Sequence, residues 1–226
     1  MLFLAVSAGF LAENIRENRG DNAKEHAYMT SFYNDLKSDT AGYNHTIVVL
    51  HRKIPFYDSA LKFLTSPGDF NYNFPFRFYI KTNSDVSFMP IEPTFQQLRN
   101  SGNLRLITNN LVLDSCQIYE GIVSGDYQGQ VNYVIEFNKR LLQMQEKLFE
   151  YSNLNKFLND KISSSVSEDG SIYSILLISK DNDKMQELRN LFIGTKAAEI
   201  FYISHLEFIK QKAINLMVFI SKEYKL

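Results

Sequence analysis

The chain predicts an all-α fold in which a bundle of long antiparallel helices follows an N-terminal membrane helix and carries one irregular, aromatic-rich insert. Three observations predict it: an uncharged apolar start over residues 1–12, a seven-residue repeat through residues 36–64, and a broad apolar face at helical spacing over residues 195–223.

Residues 1–12, MLFLAVSAGFLA, carry no charge, and charged residues recur from Glu13 onward. Twelve helical residues cover about 18 Å, against roughly 30 Å of bilayer core, so the run reads as part of a transmembrane helix that continues upstream. Two alternatives stay open: the apolar region of a signal peptide, and the end of an amphipathic or core helix. The first lacks the basic stretch that precedes such a region, although Val6-Ser7-Ala8 would serve as a cleavage site. Behind the run, Arg16, Arg19 and Lys24 are balanced by Glu13, Glu17, Asp21 and Glu25. A cytoplasmic flank would be biased to Lys and Arg, so a single-pass protein with its body on the periplasmic side is expected. The predicted organisation is a membrane segment at 1–12 and a helical domain at 13–226, with the insert at 66–93.

In the first long helix Leu36, Tyr43, Leu50, Tyr57 and Leu64 stand seven apart, with Thr40, Ile47, Ile54 and Leu61 interleaved. That is the seam of a coiled-coil-like packing. Pro55 removes one backbone donor and predicts a kink or break near Ile54. Ser66-Pro67-Gly68-Asp69 ends the helix.

The insert opens with alternating Phe70, Tyr72, Phe74, Phe76 and Phe78, but Pro75 confines this stretch to an edge or an irregular loop, and no second strand is obvious. It reads as a cap over helix ends; the alternative is a partner surface made by Phe70, Tyr72, Phe74, Phe76, Phe78 and Tyr79. A short helix then starts at Pro93 or Thr94 and stops at Asn100, with Gly102 supplying a left-handed turn.

The next helix starts near Leu104 or Asn109 and ends near Tyr151. Its predicted core positions are Ile118, Ile122, Val131, Val134, Ile135, Leu141, Leu142 and Leu148. Gly121, Gly125 and Gly129 stand four apart within it, and a bend is expected there rather than close approach by another helix. Residues 163–171 form a polar loop, and residues 172–178 are too few to assign by periodicity. Gly194 is expected to separate a helix near 184–193 from the terminal one, whose apolar face is Ile203, Leu206, Ile209, Ala213, Leu216, Met217 and Ile220.

Two blocks carry a resemblance. GFLAENIRENRGDNAKEHAYMTSFYNDLKSD, residues 9–39, and TFQQLRNSGNLRLITNNLVLDSCQIYEG, residues 94–121, resemble an uncharacterised family of small single-pass membrane proteins common in the Bacteroidota. The resemblance covers about a quarter of the chain and implies one membrane helix followed by a helical domain. It implies no activity.

Composition and motifs exclude more than they assign. With 24 Lys and Arg against 25 Asp and Glu there is no broad basic footprint for nucleic acid. The single Cys116 cannot form an internal disulfide, and no nucleophile elbow, phosphate-binding glycine loop or paired-cysteine zinc motif occurs, so no cofactor is expected. Asp35 and Asp39 lie one turn apart and Glu25-His26 lies earlier on the same helix; a metal site there is conceivable, and a solvated face is the plainer reading. Arg99 and Arg105, on a turn rich in Asn, are a candidate anion contact, with capping of helix ends as the alternative.

The function these observations predict is a noncatalytic, membrane-anchored interaction or scaffold subunit. It would touch lipid through its N-terminal helix and another membrane or periplasmic protein through its body. A sensory ligand-binding bundle is the alternative, and a metal-dependent enzyme has the least support.

Overall fold

The structure, a computed structural model, describes residues 2–66, 73–84, 86–90, 93–162, 173–179 and 181–226. Of these, 86% are helical, and the fold is all-α. The elements are α1 (Leu2–Thr65), β1 (Asn73–Pro75), α2 (Phe76–Asn83), α3 (Pro93–Asn100), a 3-10 turn (Asn103–Leu106), α4 (Asn110–Gly121), a π-helical turn (Ile122–Tyr127), α5 (Gln128–Leu148), β2 (Phe149–Glu150), α6 (Ser152–Ile162), β3 (Ser174–Leu177) and α7 (Asn182–Tyr224). They gather into two compact units. The first holds residues 1–44, 89–126 and 208–226, and the second holds 45–88 and 127–207.

The seven-residue repeat is real: Leu36, Tyr43, Leu50, Tyr57 and Leu64 are all buried. Its companion row is not the expected one. The residues three places after Leu36, Tyr43, Leu50 and Tyr57 are Asp39, Thr46, Lys53 and Ala60, all buried, whereas of the expected row Ile47 is buried and Thr40, Ile54 and Leu61 are only half-buried. A helix with about 3.6 residues per turn places both rows beside the seam, so the row chosen depends on the partner's position and not on hydrophobicity alone. Pro55 does not break α1, which is continuous to Thr65. Tyr57, Ala60 and Leu64, buried beyond it, bind the last turns to the core and offset the one lost hydrogen bond.

In the first unit, Phe32 of α1 meets Phe95 of α3 with ring centroids 5.5 Å apart, and the Tyr43 and Tyr119 hydroxyls lie 3.2 Å apart in the core. Gly102 has φ 70°, the left-handed turn expected of it. Asn109 caps α4, its side chain accepting from the Leu111 and Val112 amides, and also donates to Glu223 at 2.9 Å. Of the predicted core positions on this helix, Ile118 is 65% exposed. The inner face in this unit is instead Val112, Cys116 and Tyr119, at steps of four and three.

In the second unit, the aromatic stretch is extended only at Asn73–Pro75, with Phe76 and Phe78 already on α2, and the partner of that edge strand comes from a distant part of the chain. β1, β3 and β2 make a three-stranded antiparallel sheet in which Phe74 opposes Ile175 and Phe149 opposes Leu177. Residues 174–177 were too few to assign from sequence, and so the second strand was missed. Phe74 stacks on Phe149 at 5.0 Å and meets Phe78 edge-on, in a cluster that also holds Phe76, Leu148, Leu188 and Phe192. Ile135 and Leu142, expected in the core of α5, are exposed; Val131, Val134, Leu141, Met144 and Leu148 face inward.

The glycine expectations divide. Gly194 does not separate two helices, because α7 runs unbroken from Asn182 to Tyr224. A Cβ at position 194 would lie 2.5 Å from the Phe137 ring, so the glycine admits a neighbouring side chain. At Gly121, Gly125 and Gly129 a Cβ would meet nothing within 4 Å, so nothing approaches closely there, and a π turn occupies 122–127. At its last residue, Tyr127 donates to the Phe88 carbonyl and shares a 2.8 Å hydrogen bond with the buried Tyr202 hydroxyl.

Candidate functional site

The polar row on α1 leads to the most unusual chemistry of the second unit. Lys53 and Tyr57, four residues apart and therefore on one helix face, both reach Glu199 of α7. The Lys53 Nζ to Glu199 Oε1 distance is 2.5 Å, and the two side chains are only 3% and 1% exposed. Tyr57 donates to the same oxygen at 2.8 Å. Lys53 also donates to the Ser84 carbonyl at 2.8 Å, which ties the C-terminal end of α2 to the pair.

Burial pushes the Glu199 carboxyl above its ordinary value; Lys53 and the Tyr57 hydroxyl pull it back without cancelling that effect. Burial, and then the charge of Glu199, raise Tyr57 strongly, which keeps its hydroxyl a donor. Glu199 Oε2 is buried with no hydrogen-bond partner among the described residues. Such a pair holds elements in register, and breaking it costs more than forming it gains.

Lys53 also forms part of the wall of an open cleft of about 670 Å³ between α1 and the end of α2. Arg52, Lys81 and His45 share that wall with Val49, Phe56 and Ile80. No carboxylate is among its described lining residues.

The residues singled out from sequence fall elsewhere. Phe74, Phe76 and Phe78 are buried in the core of the second unit and present no face to a partner, and Tyr79 is half-buried. The physical reason is that Phe74 turns inward from β1 onto the Phe149 ring, while Phe76 and Phe78 lie on the buried face of α2. Phe70 and Tyr72 lie outside the described residues. Arg99 is paired with Glu120 at 2.5 Å, and Arg105 is exposed on the 3-10 turn; neither lines the cleft. The Asn residues of that turn serve structure, Asn109 as a cap and Asn103 donating to the Tyr28 hydroxyl.

The candidate metal carboxylates of α1 also have structural partners. Asp35 accepts from the Thr94 amide at the start of α3. Glu25 is buried and accepts from the Thr108 amide at 2.8 Å, the Thr108 hydroxyl and the Tyr224 hydroxyl. His26, beside it, bonds the Tyr224 carbonyl through Nε2 at 3.0 Å. Among the described residues no three His, Cys, Asp or Glu side chains come together to hold a metal ion.

Sequence reasoning missed Lys53 and Glu199. The signal that would have found them is their phase: Lys53 lies three residues after Leu50 and four before Tyr57, and Glu199 lies four before Ile203. Both therefore sit on core faces, where a charge must be paired.

The apolar start of α1 is the other unusual feature. Phe3, Val6, Phe10 and Leu11 are exposed, Phe3 by 81% and Phe10 by 75%. Residues 13–24 are exposed helix, polar but for Ile15, Gly20 and Ala23, and Glu25 is the first buried residue after them. Among the described residues no helix is long and apolar enough to cross a membrane. No family model, no curated protein and no solved structure matches the chain.

Proposed function

We propose that the chain is a noncatalytic, membrane-anchored interaction subunit: an antiparallel bundle of long helices held to lipid by the first turns of α1, with its body on the periplasmic side. The observation that carries this reading is the exposed apolar start of α1. An apolar helix end whose described side chains Phe3, Val6, Phe10 and Leu11 are exposed, followed by a mainly polar stretch, fits a segment whose other solvent is lipid. The flanking charges, balanced in sign, favour the non-cytoplasmic side. The resemblance to single-pass membrane proteins with a helical body points the same way. Exposed apolar residues on α7, among them the large Phe201 ring at 64%, offer the body a place to meet another protein.

The test begins with flotation of the full chain on liposomes, compared with a variant carrying Phe3→Ser, Phe10→Ser and Leu11→Ser. The wild-type chain should rise with the lipid and the variant should stay below; equal behaviour would remove the anchor from the reading. Mild-detergent purification from the native membrane should then yield a protein partner at stoichiometric level, lost on Phe201→Ser. A solitary protein would favour the sensory alternative, for which the basic cleft is the supporting observation.

A further inference from the structure

The cleft between α1 and the end of α2 is lined by Arg52, Lys53 and Lys81 and, among the described residues, by no carboxylate. Arg52 and Lys81 form no ion pair and no side-chain hydrogen bond among the described residues. Lys53 is paired with Glu199, yet two of its three N–H groups account for Glu199 and the Ser84 carbonyl, and one remains. His45 adds its imidazole to the same wall. Like charges converging on one concavity repel each other unless a counter-charge enters it.

The rest of the wall is apolar, with Val49, Phe56, Ile80 and Val86. A volume of about 670 Å³ falls within the range of small-molecule sites. We propose that this cleft binds a small amphipathic organic anion, its carboxylate held by Arg52 and Lys81 and its apolar body lying against Val49, Phe56 and Ile80. Arg52 can engage a carboxylate through two parallel N–H groups, and Lys81 adds a point charge from the facing element. The buried Lys53–Glu199 pair fixes the wall between them, because Lys53 also holds the Ser84 carbonyl at the end of α2. The proposal is independent of the membrane anchor.

The experiment titrates the full chain with 2-naphthoate and, separately, with hexanoate, to distinguish an aromatic from an acyl body. Isothermal calorimetry and backbone amide shifts are the readouts. The neutral 2-naphthamide and the bare head group acetate are the controls. At least one of the two anions should bind, about tenfold more tightly than either control, and should shift the amides of Val49, Arg52, Lys53, Phe56, Ile80 and Lys81. Arg52→Gln and Lys81→Gln should each weaken binding about tenfold, while Lys62→Gln, on an exposed part of α1, should leave it unchanged. Both Arg52 and Lys81 reach solvent, so their variants keep the fold, which an unchanged thermal melt verifies. Absence of binding by both anions, or affinity indifferent to Arg52→Gln and Lys81→Gln together, would overturn the proposal.

Discussion

The Tyr224 hydroxyl donates to Glu25 Oε1 at 2.6 Å, so the last residue of α7 is fastened to a buried carboxylate of α1. Glu25 also holds the Thr108 amide, and a single carboxylate thereby joins three segments of the first unit. Tyr224→Phe should cost about 1–2 kcal/mol, since the hydroxyl is lost while Glu25 keeps its other donors. Urea unfolding of the variant and of Glu25→Gln, compared in a double-mutant cycle, measures the coupling.

Burial and the Glu25 contact raise the Tyr224 hydroxyl above its ordinary value, and Tyr57 is raised by burial and Glu199. Below about pH 10 both residues are protonated in the folded and unfolded chains, and their contribution is complete. At higher pH the unfolded chain loses these protons first, so stability falls as pH rises. The urea midpoint should hold up to about pH 9 and drop as pH rises past about 10, and the drop should be smaller in Tyr224→Phe. An equal drop in both proteins would remove Tyr224 from the explanation.

The buried Lys53–Glu199 pair makes a different prediction. Lys53→Met or Glu199→Leu alone strands a buried charge and should cost about 3–5 kcal/mol, whereas the two together should recover most of that loss. Thermal melts of the three variants distinguish this from additive packing damage.

Two helical glycines should respond to alanine with opposite signs. Gly129→Ala fills open space and should stabilise by about 0.5–1 kcal/mol. Gly194→Ala drives a methyl against the Phe137 ring and should destabilise by about 1–3 kcal/mol. Introduced into a Phe137→Ala background, the same substitution should become stabilising; denaturant midpoints decide.

Asn109→Ala should cost about 1 kcal/mol through the lost cap of α4. Asn109→Asp keeps the acceptor but faces Glu223, so it should recover only part of the loss, and more of it in high salt. Melts at two salt concentrations are the check.

Helical periodicity made the class and most helices of this fold legible, down to Pro93 as a first helical residue and Gly102 as a left-handed turn. What it left out has physical causes. Lys53 and Asp39 lie in a buried row, but hydrophobic patterning ranks them as surface because it weighs residue type before phase. The pairing of β1 with β3 joins residues about a hundred apart through strands of three and four residues, too short to show a period. Gly194 looked like a stop because a glycine's backbone freedom is visible in sequence, whereas the Phe137 ring above it is not. Of the candidate sites, sequence supplied the aromatic stretch and two arginines, and folding used Phe74, Phe76, Phe78 and Arg99 internally. The basic cleft depends on residues from α1 and from the end of α2, nearly thirty positions later, that no local motif connects.

The π turn at Ile122–Tyr127 bears on how this sequence compares with others. A single π turn is an α-helix that has taken in one extra residue. Removing one residue there would let the helix close up into regular α geometry, but it would turn Tyr127 away from Tyr202 and the Phe88 carbonyl. A homologous sequence one residue shorter across this helix should therefore carry its gap between 122 and 127, and should lack a tyrosine pair equivalent to 127 and 202.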